Sequence, residues 1–346
     1  MSTTPHRQKL ADTMGKGASP AMHKILELAM SEEEARFLCA LPAKLAGLAQ
    51  QFALTEPAVE EKLVNLAQRG LLTPSPEGMR FPPYWFTLHD TILSSKREFI
   101  PAGMERLWRV LYEGEGAVHE LGTMYGVMPS VMIRTIPAPN TVPESQLLPY
   151  ESVKAIIEAH KDLITIRDCC CRVGAQKCDH PTQVCMQFQE RAEYDLYRKT
   201  GRRVSGEEAL DLAIQASTSG LVPTVPNQSD MQKLDFICFC CGCCCLVIEP
   251  GTRAGTLDKI LNPSRFVATV QSCDGCGDCV PKCAVNAIVI PAGSGVAVID
   301  RAKCLGCGAC VPACPLDPPI TMELVRPTDF IPQENISVTG FMHATE

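Results

Sequence analysis

Eight cysteines in two matching runs constrain this 346-residue chain more than any other feature. The first run is Cys273-x2-Cys276-x2-Cys279-x3-Cys283, and the second is Cys304-x2-Cys307-x2-Cys310-x3-Cys314, followed by Pro315. Two-residue gaps let one tight loop wrap three corners of a [4Fe–4S] cube. Zinc is the competing reading, because zinc sites also use Cys-x2-Cys pairs. They take two separated pairs per ion, however, and three cysteines at this spacing plus a fourth fit a cube better. The two runs say that the chain moves electrons.

Between the runs, AVNAIVI (284–290) and GVAVID (295–300) read as short β-branched strands, joined by a hairpin loop at 291–295. Residues 265–325 thus resemble bacterial ferredoxins of the two-[4Fe–4S] type over their whole length. The resemblance implies two [4Fe–4S] clusters with crossed ligation. Cys273, Cys276, Cys279 and Cys314 would hold one, and Cys304, Cys307, Cys310 and Cys283 the other. Ala284 stands where that family usually has proline. Such a proline only stiffens the turn, so the ligand set is unaffected.

The chain has 20 cysteines, 46% hydrophobic residues and a net charge of −7. Its size allows two or three domains with real cores. The negative charge gives no support to a nucleic-acid or anionic-membrane partner. The first twenty residues are polar and lack the apolar stretch of a signal peptide. No apolar run reaches the roughly 18 residues of a membrane span. So many cysteines in an unexported chain read as metal ligands rather than disulfides, and the expected location is the cytoplasm. Cluster fragility points to an anaerobic or microaerobic cell.

The fold expected is α+β and multidomain. Residues 1–20 read as a disordered tail and 21–90 as a winged helix-turn-helix. In the latter Ser31 and Glu34 form a capping box, Thr55 caps a third helix that ends at Gly70, and a hairpin turns at 76–78. That helix carries Glu56, Glu60 and Glu61 against Lys62 and Arg69, and residues 21–90 hold six Lys/Arg against nine Asp/Glu. A helix that reads duplex DNA needs basic and amide side chains, so a docking or structural role is preferred to DNA binding. Residues 91–160 read as a helical and extended connector, with Met104, Leu107, Trp108 and Leu111 as a core stripe. A mixed α/β cysteine-rich domain (161–260), the ferredoxin domain (261–326) and a C-terminal tail (327–346) follow.

The cysteine-rich domain holds a second thiol system of eleven residues, in RDCCCRVGAQKCDHPTQVC and FICFCCGCCC. Ile164 and Ile166 alternate with Thr165 and Arg167 as in a strand; if the pleat continues, Cys169 and Cys171 share one side. Cys238 and Cys240 would likewise share a face, with Gly242 letting the backbone turn. A helix capped by Ser205 lies between the segments and could return the chain to its cysteines. The preferred reading is a further iron–sulfur cluster, with Cys169, Cys171, Cys178, Cys185, Cys238, Cys240, Cys241 and Cys243 as candidate ligands. Zinc and a thiol/disulfide redox site are the alternatives. Cys39 reads as a small buried hydrophobe.

Cys240-Cys241-Gly242 resembles the cysteine-rich motif of heterodisulfide-reductase-type subunits, although that motif's long spacings are not reproduced. The whole chain resembles poorly characterised anaerobe proteins that join a winged-helix-like N-terminus, an RDCCCR…KCDHP…C segment, a CxCCGCCC segment and a C-terminal ferredoxin. The resemblance implies redox work without naming a substrate. The first functional expectation is an electron-transfer protein or subunit serving a partner flavoprotein or reductase, since no G-x-G-x-x-G, P-loop or H-E-x-x-H motif offers another cofactor site. The second is an oxidoreductase acting at the middle cluster, with Asp179 or His180 as an unusual ligand. The third is an iron–sulfur redox-sensing transcription regulator.

Overall fold

Residues 5–70 fold where apolar spacing and caps direct them. The computed structural model describes residues 5–316 and 320–334. Helices α1 (Pro5–Thr13), α2 (Pro20–Ala29), α3 (Glu32–Leu38), α4 (Leu45–Phe52) and α5 (Glu56–Gln68) precede a hairpin of β1 (Thr73–Ser75) and β2 (Gly78–Arg80). The Ser31–Glu34 capping box forms, and Thr55 accepts from the Ala58 amide. The 1–20 segment is not a tail over its described part. Leu10, Ala11 and Met14 are buried, and His6 Nδ1 lies 2.7 Å from Glu32.

Residues 91–160 do more than connect. Helices α6 (Trp85–Leu93), α7 (Met104–Arg109) and α8 (Ala117–Tyr125) share one continuous core with the N-terminal helices, and Met104, Trp108 and Leu111 are fully buried in it. Strand β3 (Ile133–Thr135) then enters the main sheet, and α9 (Val153–Ala159) packs Val153, Ile156 and Ile157 inward.

The main sheet takes in β4 (Ile164–Asp168), β5 (Gln183–Phe188), β6 (Arg202–Val204), β7 (Val222–Pro226), β8 (Phe236–Cys240) and β9 (Leu261–Asn262). Its seven strands run in the order β6-β4-β5-β8-β7-β3-β9, antiparallel except for the β3–β9 pair. Between them come α10 (Cys170–Ala175), α11 (Gln189–Tyr197), α12 (Gly206–Thr218) and α13 (Ile248–Ala254). Because strand side chains alternate, the sheet has two distinct faces. Ile164, Ile166, Met186, Phe188 and Ile237 face α9 and α12 in one core. Phe236, Cys240 and Val222 join the N-terminal helices in the other.

The C-terminal unit is small. Strands β10 (Phe266–Val270) and β13 (Ile320–Leu324) pair antiparallel, as do β11 (Ile288–Val289) and β12 (Val298–Ile299). Its core is Ala268, Ile288, Ala297 and Ile320 with Cys279 and Cys310. The unit is anchored to the rest by a buried bidentate ion pair, Arg265 to Glu151, at 2.8 and 2.7 Å. Residues 327–334, read as part of a tail, return to the sheet region: Ile331 is buried and Ser229 N donates to Pro332 O. Residues 335–346 lie outside the described part.

Candidate metal centres

Positive-φ glycines at 275, 277, 306 and 308 turn the two runs back on themselves, so that their thiols converge inside the C-terminal unit. Cys283, from the first run, lines the same small cavity as Cys304, Cys307 and Cys310 of the second. Burial raises Cys279, and the neighbouring thiols of Cys273, Cys314 and Cys276 raise it further. Burial and the charges of Cys304 and Cys283 push Cys307 up to about 12. Backbone amides reach the sulfurs: Gly275 N and Ala297 N approach Cys273 at 3.4 and 3.2 Å, and Ala287 N approaches Cys283 at 3.1 Å. Such N–H···S contacts favour thiolate and tune a bound cluster.

The two cysteine runs differ in setting. Cys276 is exposed, beside a hairpin whose Val289, Val296 and Val298 also face solvent. The second-run side faces inward. Ala138 N donates to Cys307 O at 2.8 Å, and Val222 of β7 lines the cavity holding Cys283. Val222 is paired across the ladder with Cys240 of β8.

Cys240 opens onto the largest cysteine assembly. A cavity of about 270 Å³ lies between the sheet and α6, α8 and α10, lined by Cys169, Cys170, Cys171, Cys185, Cys238, Cys240 and Cys245. Alternation on β5 and β8 puts Cys185, Cys238 and Cys240 on this face. The strand expected to run through Cys169–Cys171 does not continue. The β4–β5 register shifts at Arg167/Asp168, Cys169 N bonds Thr182 O at 2.7 Å, and Cys170 begins α10. The start of α10, with Cys169 as its N-cap, thus sets all three cysteines in the cavity lining.

Charged groups surround these thiols. Arg167 is buried and donates to both carboxylate oxygens of Asp90 at 3.1 Å and to Ser94 at 3.0 Å. Burial opposes ionisation of Asp90, but Arg167 and a hydrogen bond with Cys170 outweigh it and hold the carboxyl down at about 2. A hydrogen bond with Cys238, helped by Arg167 against the effect of burial, lowers Cys185 to about 7. Burial drives His89 down to about 3, so it is neutral where it packs edge-on against Trp108. Apolar Phe86, Met124, Met128 and Met132 complete the wall.

The remaining middle cysteines form a separate group. Cys178, from the loop after α10, meets Cys241, Cys243 and Cys244, with all four sulfurs within 4.8 Å of one another. The eight ligands proposed from the sequence therefore divide. Cys178, Cys241 and Cys243 belong here, whereas Cys169, Cys171, Cys185, Cys238 and Cys240 line the cavity. Cys170, Cys244 and Cys245 were missed, and in so dense a run no spacing distinguishes them. Asp179 is exposed, and neither it nor His180 joins either group among the described residues. The backbone turns at 242–244 as expected, without a positive φ at Gly242; a Cβ there would sit 2.0 Å from Ala284 O, so glycine also permits close approach. Cys39 stands apart, its thiol 3.6 Å from His6 O.

The family model described as 4Fe-4S dicluster domain matches residues 272–317. No curated protein and no solved structure matches the chain. The chain therefore carries a C-terminal 4Fe-4S domain of ferredoxin type and, in its middle, a group of cysteines able to bind metal. No helix among the described residues is long and apolar enough to cross a membrane.

Proposed function

We propose that this chain is an electron-transfer protein linking a redox partner, a flavoprotein or reductase, to an iron–sulfur centre in its own seven-cysteine cavity. Two [4Fe–4S] clusters in the C-terminal unit would form the link. One would be held by Cys273, Cys276, Cys279 and Cys314, and the other by Cys304, Cys307, Cys310 and Cys283. When bound, such clusters supply reversible one-electron transfer. The observation that carries the reading is the path inward: Val222 touches the Cys283 cavity and pairs with Cys240, which lines the larger one.

The chain's own residues set the direction. Exposed Cys276 and the three surface valines give a partner an apolar landing site beside the outer ligand set. The inner set is shielded by the sheet. In the large cavity Arg167 and Arg172 supply buried positive charge against thiolates that would otherwise repel one another. The N-terminal α3-α4-α5-β1-β2 succession follows the winged-helix order, and we assign it a structural or docking role. Glu56, Glu60 and Glu61 are exposed on α5, while Lys62 and Arg69 pair with Glu33 and Glu34. Anisotropy titration of the full chain with duplex DNA at low salt should show no binding in the micromolar range; salt-sensitive binding there would revive the regulator reading.

The main test is anaerobic purification with iron and sulfide quantitation. Three cubes require about twelve irons and twelve sulfides per chain, and a total of about eight would remove the middle centre. A second reading, an oxidoreductase that reduces its substrate at the middle centre, is favoured by one observation. Seven thiols exceed the four that a cube takes, and the cavity also has an apolar wall. Turnover of a small apolar acceptor, abolished by Phe86→Arg with metal content unchanged, would establish it.

A further inference from the structure

We propose that Cys178, Cys241, Cys243 and Cys244 bind a single zinc ion, at a site separate from the cysteine-lined cavity and from both ligand sets of the C-terminal unit. The spacing of the sulfurs carries the inference. Cys178 Sγ lies 4.0 Å from Cys241 Sγ and 3.7 Å from Cys244 Sγ, and Cys243 and Cys244 are 3.7 Å apart. Zinc–thiolate bonds of about 2.3 Å in a tetrahedron place the sulfurs about 3.8 Å from one another. A cube sets a separate iron under each thiolate and so holds its four ligands much farther apart.

The protein supplies its own comparison. Among the described residues this is the one group of three or more His, Cys, Asp or Glu ligand atoms drawn within 4.8 Å. The eight cysteines of the dicluster domain form no such group, although their sequence pattern is that of cube ligands. Nor do the seven lining the large cavity. The two kinds of site are therefore distinguishable by spacing alone.

Donor chemistry and surroundings agree. Four thiolates with no carboxylate or water-holding position make a closed, structural zinc site, and tetrahedral S₄ sets select zinc or iron. A divalent ion leaves a net charge of −2 on four thiolates. Arg172 offsets part of it: Nη1 lies 4.0 Å from Cys241 Sγ and is fixed by a 2.8 Å bond to Phe239 O. The ion would tie the loop after α10 to the 241–244 turn across more than sixty residues. That turn includes Gly242, whose backbone rests on Ala284 next to Cys283. The zinc would thus fix the platform on which the C-terminal unit sits.

The test uses the full chain, purified without oxygen from medium containing both iron and zinc. Metal analysis should find about one zinc per chain, and zinc-edge X-ray absorption should find four sulfurs at about 2.3 Å. Cys243→Ser should lower zinc at least threefold and leave iron and sulfide unchanged, whereas Cys39→Ser should leave zinc unchanged. If Cys243→Ser does not accumulate as folded protein, cobalt replacement in the unsubstituted chain gives the same answer through the absorption of a tetrahedral tetrathiolate. Iron lost together with sulfide in Cys243→Ser would show these cysteines to be cluster ligands and overturn the proposal. A lone tetrathiolate iron, or four free or disulfide-bonded thiols in protein isolated with both metals present, would overturn it equally. The zinc count is independent of the iron count, so the site stands or falls separately from the electron-transfer reading.

Discussion

The C-terminal unit and the middle domain both gather cysteines, but they do it by opposite means. In the C-terminal unit the cysteines come from two short runs, positive-φ glycines turn the chain, and the fully buried apolar core is little more than Ala268, Ile288, Ala297 and Ile320. In the middle domain the thiols come from β5, β8, α10 and the 241–245 turn, and a seven-stranded sheet covered by helices brings them together. Local spacing organises the first site and tertiary packing the second. The difference should show in how each responds to damage.

Loss of a ligand should have the largest effect. Cys283→Ser should empty the group it shares with Cys304, Cys307 and Cys310, removing about four irons, with the outer set intact. Cys276→Ser should do the reverse. EPR of the dithionite-reduced proteins reads which signal is lost, and loss of the same signal in both variants would end the crossed-ligand scheme. A middle-domain change such as Phe188→Ala is expected to behave differently. It should cost about 3–5 kcal/mol and loosen every thiol of the cavity at once, because packing places them.

Next comes the joint between the regions. Arg265→Ala would leave Glu151, 1% exposed, as a buried charge without its partner, at a cost of about 3–5 kcal/mol in denaturant unfolding. Replacing both residues with apolar ones of similar size should restore most of that loss. Gly242→Ala should cost about 1–3 kcal/mol, since the new Cβ meets Ala284 O. It should also slow electron exchange between the regions while iron in the 272–317 domain is retained. Normal exchange would place the route elsewhere.

The smallest effect is expected where neither region is touched. Burial opposes the ionisation of Glu34, yet hydrogen bonds from Arg69 and from Ser31 lower its pKa below the ordinary 4.5. The folded state therefore gains stability above the unfolded value of 4.5 and loses it as pH falls through the lower folded value. Arg69→Ala should cost about 0.5–1 kcal/mol near neutral pH and less at pH 3, with metal content unchanged. A thermal-shift series in pH checks the sign.

These contrasts also explain what could be read from the chain. The caps at Ser31, Thr55 and Ser205 and the β11–β12 hairpin are local, and each formed where its residues direct. The strand through Cys169–Cys171 failed because β5 releases its partner at Asp168 and cysteine has no strong preference against starting a helix. Helix α1 is hard to read from the sequence because it buries only Leu10 and Ala11. The division of eleven thiols into a cavity and a foursome depends on strand order β5-β8-β7, a set of long-range pairings that no local spacing records.

Cys276 of the outer set is exposed, whereas the cavity cysteines range from half-buried (Cys169, Cys170, Cys171 and Cys238) to buried (Cys185, Cys240 and Cys245). Dioxygen and peroxide arrive from solvent, so the protein should wear in the same order. On brief exposure to air the outermost iron should be released first, and the cavity should keep its metal longest. On the proposed ligation the outer set would act as a replaceable terminal, to be renewed with iron and sulfide without unfolding the sheet. Timed iron release after a pulse of air, followed by reconstitution, would measure that order of ageing.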